Sequence, residues 1–180
     1  MRKGRDPWAV VPMRVTVVAG NPKPQSRTVD AARRLATGLT GAEPDLIDVV
    51  DFAPRLLDWG DEEVRARVEQ VAATDLAIVA SPTFKGTYAG LLKLFLDQFD
   101  TGTGLRGVVA VPLMLGADWR HALAPELTLK PVLVELGATC PAPSVYQIDR
   151  DYAEDPARER WLATWGPVVR TLALGAGRSL

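Results

Sequence analysis

The chain has 180 residues, 47% of them hydrophobic and 24% charged, with a formal net charge of -1. That balance describes one folded domain with a sizeable core, and it excludes a disordered or fibrous chain and a surface that attracts nucleic acid by bulk charge. The lone cysteine, Cys140, excludes an internal disulfide and any multi-cysteine metal site, and suits a reducing cytoplasm.

Residues 1–12 carry Arg2, Lys3, Arg5, Pro7 and Pro12 without a period and read as a flexible leader to a domain spanning 13–174. No apolar run approaches the ~20 residues of a membrane span, and the basic start is followed by too short an apolar stretch for a signal peptide. The first strand is expected at Met13–Ala19, where the β-branched run Val15-Thr16-Val17-Val18 ends at Gly20-Asn21-Pro22. A helix follows from about Thr28 to Gly38, with Ser26 where its N-cap belongs.

A second strand is expected around residues 45–49. A polar connection with Pro54 and Trp59 then leads to a helix whose Val64, Val68 and Val71 keep helical spacing behind an acidic start, Asp61-Glu62-Glu63. Residues 76–80 are almost continuously apolar, as a strand covered on both faces reads. A loop from Ser81 to Gly90 precedes a helix over 91–99, and a Gly-rich connection precedes a fourth strand at 108–114. After the loop Leu115–His121 comes a helix broken or offset at Pro125 and Pro131. A fifth strand over 144–148 and a helix from Pro156 to about Leu174 complete the domain, leaving 175–180 as a flexible tail.

Strands alternating with helices argue for a doubly wound parallel sheet, because parallel strands need right-handed crossovers that place helices on both faces. Ligands of such sheets bind beyond the carboxyl ends of the strands. The loops after strands one, three and four should therefore open on one edge.

The first loop lacks Gly-x-Gly-x-x-Gly and Gly-Lys-Ser/Thr, so it is neither a dinucleotide fingerprint nor a Walker loop. Its Ser26-Arg27-Thr28 offers hydroxyls, a guanidinium fork and a helix N-terminus, which suits a terminal phosphate; a plain capped helix with solvated Lys23 and Arg27 remains the other reading. In the second loop Pro82 makes a stiff corner, Phe84 an aromatic face, and Gly86 and Gly90 allow close approach; packing at a helix start is its alternative. The third holds the only histidine, His121, without a carboxylate or metal-ligand companion at useful spacing, so a structural role is the simpler reading. No metal site and no catalytic protein residue is read from the sequence.

Gly20–Thr28, Ser81–Lys93 and Leu129–Leu133, in this order and spacing, resemble the NAD(P)H-dependent FMN reductase family, in particular the reductases that feed alkanesulfonate monooxygenases. The resemblance implies a flavodoxin-like three-layer α/β/α sandwich around a five-stranded parallel sheet of order 2-1-3-4-5. It implies FMN as cofactor and NADPH or NADH as donor. Asn21, Ser26, Arg27 and Thr28 would hold the flavin phosphate. Pro82, Thr83, Phe84, Lys85 and Gly86 would line one edge of the isoalloxazine, and Gly116, Ala117 and Asp118 its pyrimidine end. Tyr88 matches an aromatic position that in some members sits in a π-helical bulge at a subunit interface, and Trp119 lies where it could touch the flavin or a partner. A homodimer or homotetramer and a partner flavin-dependent monooxygenase are implied, in the cytoplasm, with no nucleic acid and no membrane. Asn21 replaces a common serine, and Asp118-Trp119 stand where a Gly-Gly-small sequence is usual.

Other readings stay open. A quinone, azo-dye or metal-ion reductase of the same fold would keep its FMN. A flavodoxin-like electron carrier would carry a strongly acidic face, which a net charge of -1 does not supply. A phosphate-binding module without redox chemistry would have no use for the aromatic second loop.

Overall fold

The structure is a computed structural model and describes residues 13–176. The leader expected at 1–12 and the last four residues of the tail lie outside the described residues.

Six strands form: β1 (Val15–Ala19), β2 (Asp45–Asp48), β3 (Leu76–Phe84), β4 (Thr87–Tyr88), β5 (Val109–Gly116) and β6 (Val145–Ile148). The helices are α1 (Arg27–Thr40), α2 (Glu62–Ala72), α3 (Gly90–Leu96), α4 (Lys130–Glu135) and α5 (Pro156–Ala176). Five strands pair in parallel in the order β2-β1-β3-β5-β6, and the two-residue β4 folds back antiparallel on the end of β3. With β4 set aside, this is the 2-1-3-4-5 order that the resemblance implies.

Alternate residues of the buried strands point to opposite faces and build two cores. Val18, Ala77, Val79, Ala110 and Met114 meet Val64 and Val71 of α2, Leu92 and Phe95 of α3, and Leu133 of α4. Val17, Leu76, Ile78, Val111 and Leu113 meet Leu35 and Leu39 of α1, and Val169 and Ala173 of α5. Every residue of β1 is buried, which follows from its central position between β2 and β3.

Local signals set most element ends. Ser26 caps α1, its hydroxyl accepting the Val29 N–H at 3.4 Å, and Gly41 ends the helix at φ 73. Asp61 caps α2 through the N–H groups of Glu63 and Val64. Pro131 does not break α4, because it falls in the first turn, where its missing N–H costs nothing.

Three expectations need correction. The segment Val49–Leu57 is a 3-10 turn that buries Val49, Phe52 and Leu56, the Phe52 ring lying edge-on to Phe95 at 5.6 Å. Pro54 and the flanking charges hide that apolar spacing from a reading of polarity. Strand β3 runs on to Phe84, since Ser81 and Pro82 pair with β5 and Phe84 with Thr87. Helix α5 continues to Ala176, two residues past its expected end at Leu174. No helix among the described residues is long and apolar enough to cross a membrane.

Candidate functional site

At the carboxyl edge of the sheet β1 ends at Gly20, whose N–H donates to the Ala80 carbonyl at 2.8 Å. A Cβ on Gly20 would lie 2.2 Å from the Leu92 Cβ, so only glycine allows α3 this close to the strand end. The loop beyond is tied to itself. Asn21 accepts the Lys23 N–H and donates its amide to the Thr28 hydroxyl oxygen, both at 2.9 Å. Gln25 then turns the chain at φ 49, a left-handed conformation, so that Ser26 can begin α1. Of the N–H groups that open the helix, that of Val29 is taken by the Ser26 hydroxyl, and those of Arg27 and Thr28, beside the hydroxyls of Ser26 and Thr28, have no intrahelical acceptor. Arg27 swings across the edge, its side chain 63% exposed, with Nη1 3.3 Å from the Asp149 carbonyl oxygen and 3.5 Å from its carboxylate.

A cleft of about 660 Å³ opens in front of this helix end, with Ser26, Arg27 and Thr28 on one side and Thr83, Phe84 and Gly116 on the other. Its second wall is the end of β3 and the hairpin to β4. The two central residues of that hairpin, Lys85 at φ 55 and Gly86 at φ 83, make the left-handed turn that matches strand twist. Ser81, fully buried, anchors this wall by accepting the Ala89 N–H at 2.8 Å ahead of α3. Phe84 stays 49% exposed at the cleft rim. The Thr83 hydroxyl oxygen is closed off from solvent near the Tyr146 phenol without a hydrogen bond of good geometry.

The third wall is the end of β5. A Cβ on Gly116 would fall 1.8 Å from the Tyr146 hydroxyl, so the phenol of β6 occupies the space that a side chain would need. That phenol donates to the Asp118 carbonyl at 2.7 Å, and burial raises its pKa. The Trp119 ring leans on it with centroids 5.9 Å apart. Bonding from the Arg120 N–H and the nearby guanidinium hold the Asp118 carboxyl below the usual carboxylate range.

The structure thus brings together Asn21, Ser26, Arg27, Thr28, Pro82, Thr83, Phe84, Gly116 and Ala117 around one cleft. It does not bring in the rest. Lys85 and Gly86 form the hairpin turn beyond the lining, with Gly86 facing the His121 ring. Asp118 and Trp119 line a neighbouring cavity of about 490 Å³ with Ile148 and Arg150. Tyr88 belongs to β4 and not to a π-helical bulge; the π-helical turn is Pro125–Leu129, ahead of α4. Cys140 packs against the core, and burial pushes its thiol up to about 11, away from nucleophilic use. No three His, Cys, Asp or Glu side chains among the described residues converge to hold a metal ion.

Sequence reasoning missed Pro22, Lys23, Gln25, Leu115 and Asp149 on the cleft. Asp149 follows the carboxyl end of β6, so applying the strand-end rule to every strand would have found it. Nothing in the sequence marks Gln25, since glutamine is not a residue that usually turns left-handed.

Chemically the cleft offers a buried, hydroxyl-rich cup for a phosphomonoester at one end, and an aromatic and backbone-lined slot for a flat ring at the other. The family model described as NADPH-dependent FMN reductase matches residues 13–153. The chain is 34% identical over 131 residues to an FMN reductase (NADPH) of Escherichia coli (strain K12), covering 70% of this chain and 68% of that one. It is 30% identical over 154 residues to the NADH-dependent FMN reductase SfnF of Pseudomonas fluorescens (strain Pf0-1), covering 79% and 80%. Among solved structures, the apo form of an NADH:FMN oxidoreductase, EMOB, superposes with a TM-score of 0.76 at 26% identity, covering 91% of this chain and 89% of that one. The flavin phosphate and ring of FMN match the cup and the slot, so the residues present fit the group.

Proposed function

We propose that this chain, which belongs to the NADPH-dependent FMN reductase family, is an oxidoreductase that binds FMN in the 660 Å³ cleft and reduces it with NADPH or NADH. When bound there, FMN supplies the redox chemistry, accepting a hydride from the nicotinamide ring. The protein's work is binding and orientation. Ser26, Thr28 and the first N–H groups of α1 receive the phosphate, with Arg27 closing over it from the rim. Asn21 orients Thr28 through its 2.9 Å hydrogen bond, leaving the hydroxyl proton free to donate outward. Pro82, Thr83 and Phe84, backed by the Lys85-Gly86 turn, form one edge of the ring site; Gly116 and Ala117 form the pyrimidine end. Backbone donors on these two walls would meet the charge gained on reduction.

The single observation that carries this reading is the convergence on one cleft of a capped helix N-terminus and two ring-sized walls from strands β3 and β5. Supply of reduced flavin to a monooxygenase is part of the reading, supported by the likeness to reductases such as SfnF. Self-association is another part. Phe84, Leu123 and Leu127 are large exposed apolar side chains near the packed β4 and π-helical turn, a surface that a second copy would cover, bringing Tyr88 and Trp119 toward a neighbouring site. A single half-buried thiol suits a cytoplasmic setting.

The test is to mix the purified protein with FMN and either donor, follow the nicotinamide absorbance, and assay free reduced FMN. Donor oxidation with release of reduced flavin is expected. No oxidation with either donor would sink the enzyme, and oxidation without release would make the flavin a resident group.

A further inference from the structure

Asp48 ends β2, the edge strand beside β1, and is only 7% exposed. Its Oδ2 accepts the N–H of Gln25 at 3.3 Å, across 23 positions of chain. Gln25 is the left-handed residue that aims Ser26 into α1, so the Asp48 carboxylate braces the strained turn of the phosphate loop from behind. Its other oxygen, Oδ1, is closed off from solvent, with the Val50 N–H nearby but no hydrogen bond of good geometry. Gln25 and Ser26 line both the flavin cleft and a second cavity of about 480 Å³, and Asp48 lies in that second cavity. A single loop therefore separates a buried carboxylate from the anion cup.

Among the described residues no cation forms an ion pair with it. The charged groups facing that cavity are Asp51 from the 3-10 turn, and Asp30 and Arg33 from α1. Asp30 is paired with Arg34, and the Arg33 guanidinium lies against Glu43. Burial raises the Asp48 pKa and the Asp51 charge adds to the rise, while the Gln25 and Val50 N–H groups act in the opposite sense without cancelling it.

We propose that Asp48 is a positioning residue that sets FMN affinity in two opposed ways: its hydrogen bond keeps the loop shaped for the phosphate, and its negative charge weakens the hold on it. This rests on the FMN reading above, and it deepens that reading by making the flavin exchangeable, as delivery of reduced flavin to another enzyme requires. By linkage, a bound anion raises the pKa of Asp48, and protonated Asp48 favours the anion, so anion affinity rises as pH falls through the Asp48 titration.

Asp48→Asn keeps an acceptor for the Gln25 N–H and removes the charge. It is expected to bind FMN roughly three- to twenty-fold more tightly than wild type by flavin fluorescence, since a low-dielectric neighbour charge acts on a phosphate of about two charges. Riboflavin binding should be unchanged. Asp48→Ala, which removes the brace as well, should bind FMN less tightly than Asp48→Asn. On the wild-type protein, riboflavin 5′-sulfate, whose charge does not titrate, should bind more tightly as pH falls, and Asp48→Asn should flatten that slope. FMN binding by Asp48→Asn no tighter than wild type, an equal gain for riboflavin, or a flat sulfate-ester profile would each overturn the role of Asp48 while leaving the FMN reading intact. Failure of wild type to bind FMN or oxidise either donor would overturn both.

Discussion

Arg27 in the first turn of α1 and Asp149 after β6 lie 122 residues apart, yet Nη1 sits 3.5 Å from the carboxylate and 3.3 Å from the backbone carbonyl oxygen. The contact closes the cleft at its anion end. It also keeps the guanidinium beside the proposed cup, where an incoming phosphate would compete with Asp149 for the same donors.

Arg27→Ala should therefore weaken FMN roughly ten- to a hundred-fold, as loss of a charge-assisted contact does, and leave riboflavin within about two-fold. Titration of both flavins by fluorescence checks this; equal losses would show that Arg27 does not meet phosphate. The pair is exposed, so the melting temperature should hardly move.

Gly116→Ala places a methyl group against the Tyr146 hydroxyl, where 1.8 Å is available. The end of β5 or the phenol must move, costing about 1–3 kcal/mol as overpacking does. In a urea-denaturation cycle Gly116→Ala and Tyr146→Ala should be non-additive, the second relieving the first. Additive losses would place the strain elsewhere.

Lys85 holds φ 55 in a two-residue hairpin turn followed by Gly86. Asparagine tolerates that conformation better, so Lys85→Asn should stabilise by roughly 0.5 kcal/mol and Lys85→Val should destabilise by about 1 kcal/mol or more. Thermal melts give both signs. A drop on Lys85→Asn would mean that the lysine side chain has a role which the turn geometry does not reveal.

Arg14 binds Asp75 through Nη2 at 2.9 Å and through its backbone N–H at 2.8 Å, tying β1 to the start of β3. Burial alone would raise the Asp75 pKa, but the side-chain and backbone bonds of Arg14 outweigh it and the net shift is downward. A lowered folded pKa contributes stability above the unfolded carboxylate value, and that stability is lost as pH falls through the folded value. Arg14→Met should accordingly destabilise by ~1 kcal/mol near neutrality and by progressively less in acid. A difference independent of pH would mean that the pair does not carry it.

Much of the site was legible because its signals are local. The Ser26 cap, the turn after β1 and the apolar run of β3 are each written within a few residues, and each element formed near its expected place. Legibility failed where distant chain decides. Lys85, Gly86, Asp118 and Trp119 follow the right strands, but hairpin twist and the Tyr146 phenol carry them away from the cleft lining. Val49–Leu57 looked polar in sequence because its buried face, Val49, Phe52 and Leu56, becomes visible only against Phe95 of α3.

By itself the sequence determined a doubly wound sheet whose first strand leads into a capped helix N-terminus, the candidate anion cup. Buried β-branched runs, caps and turns act over a few residues and need no partner to be recognised. Only the tertiary structure decided what stands around that cup. Asp149 in front and Asp48 behind, with Gln25 turned left-handed between them, come from three separated places in the chain. Which charges share one small volume is set by strand order and packing, and those are properties of the assembled sheet.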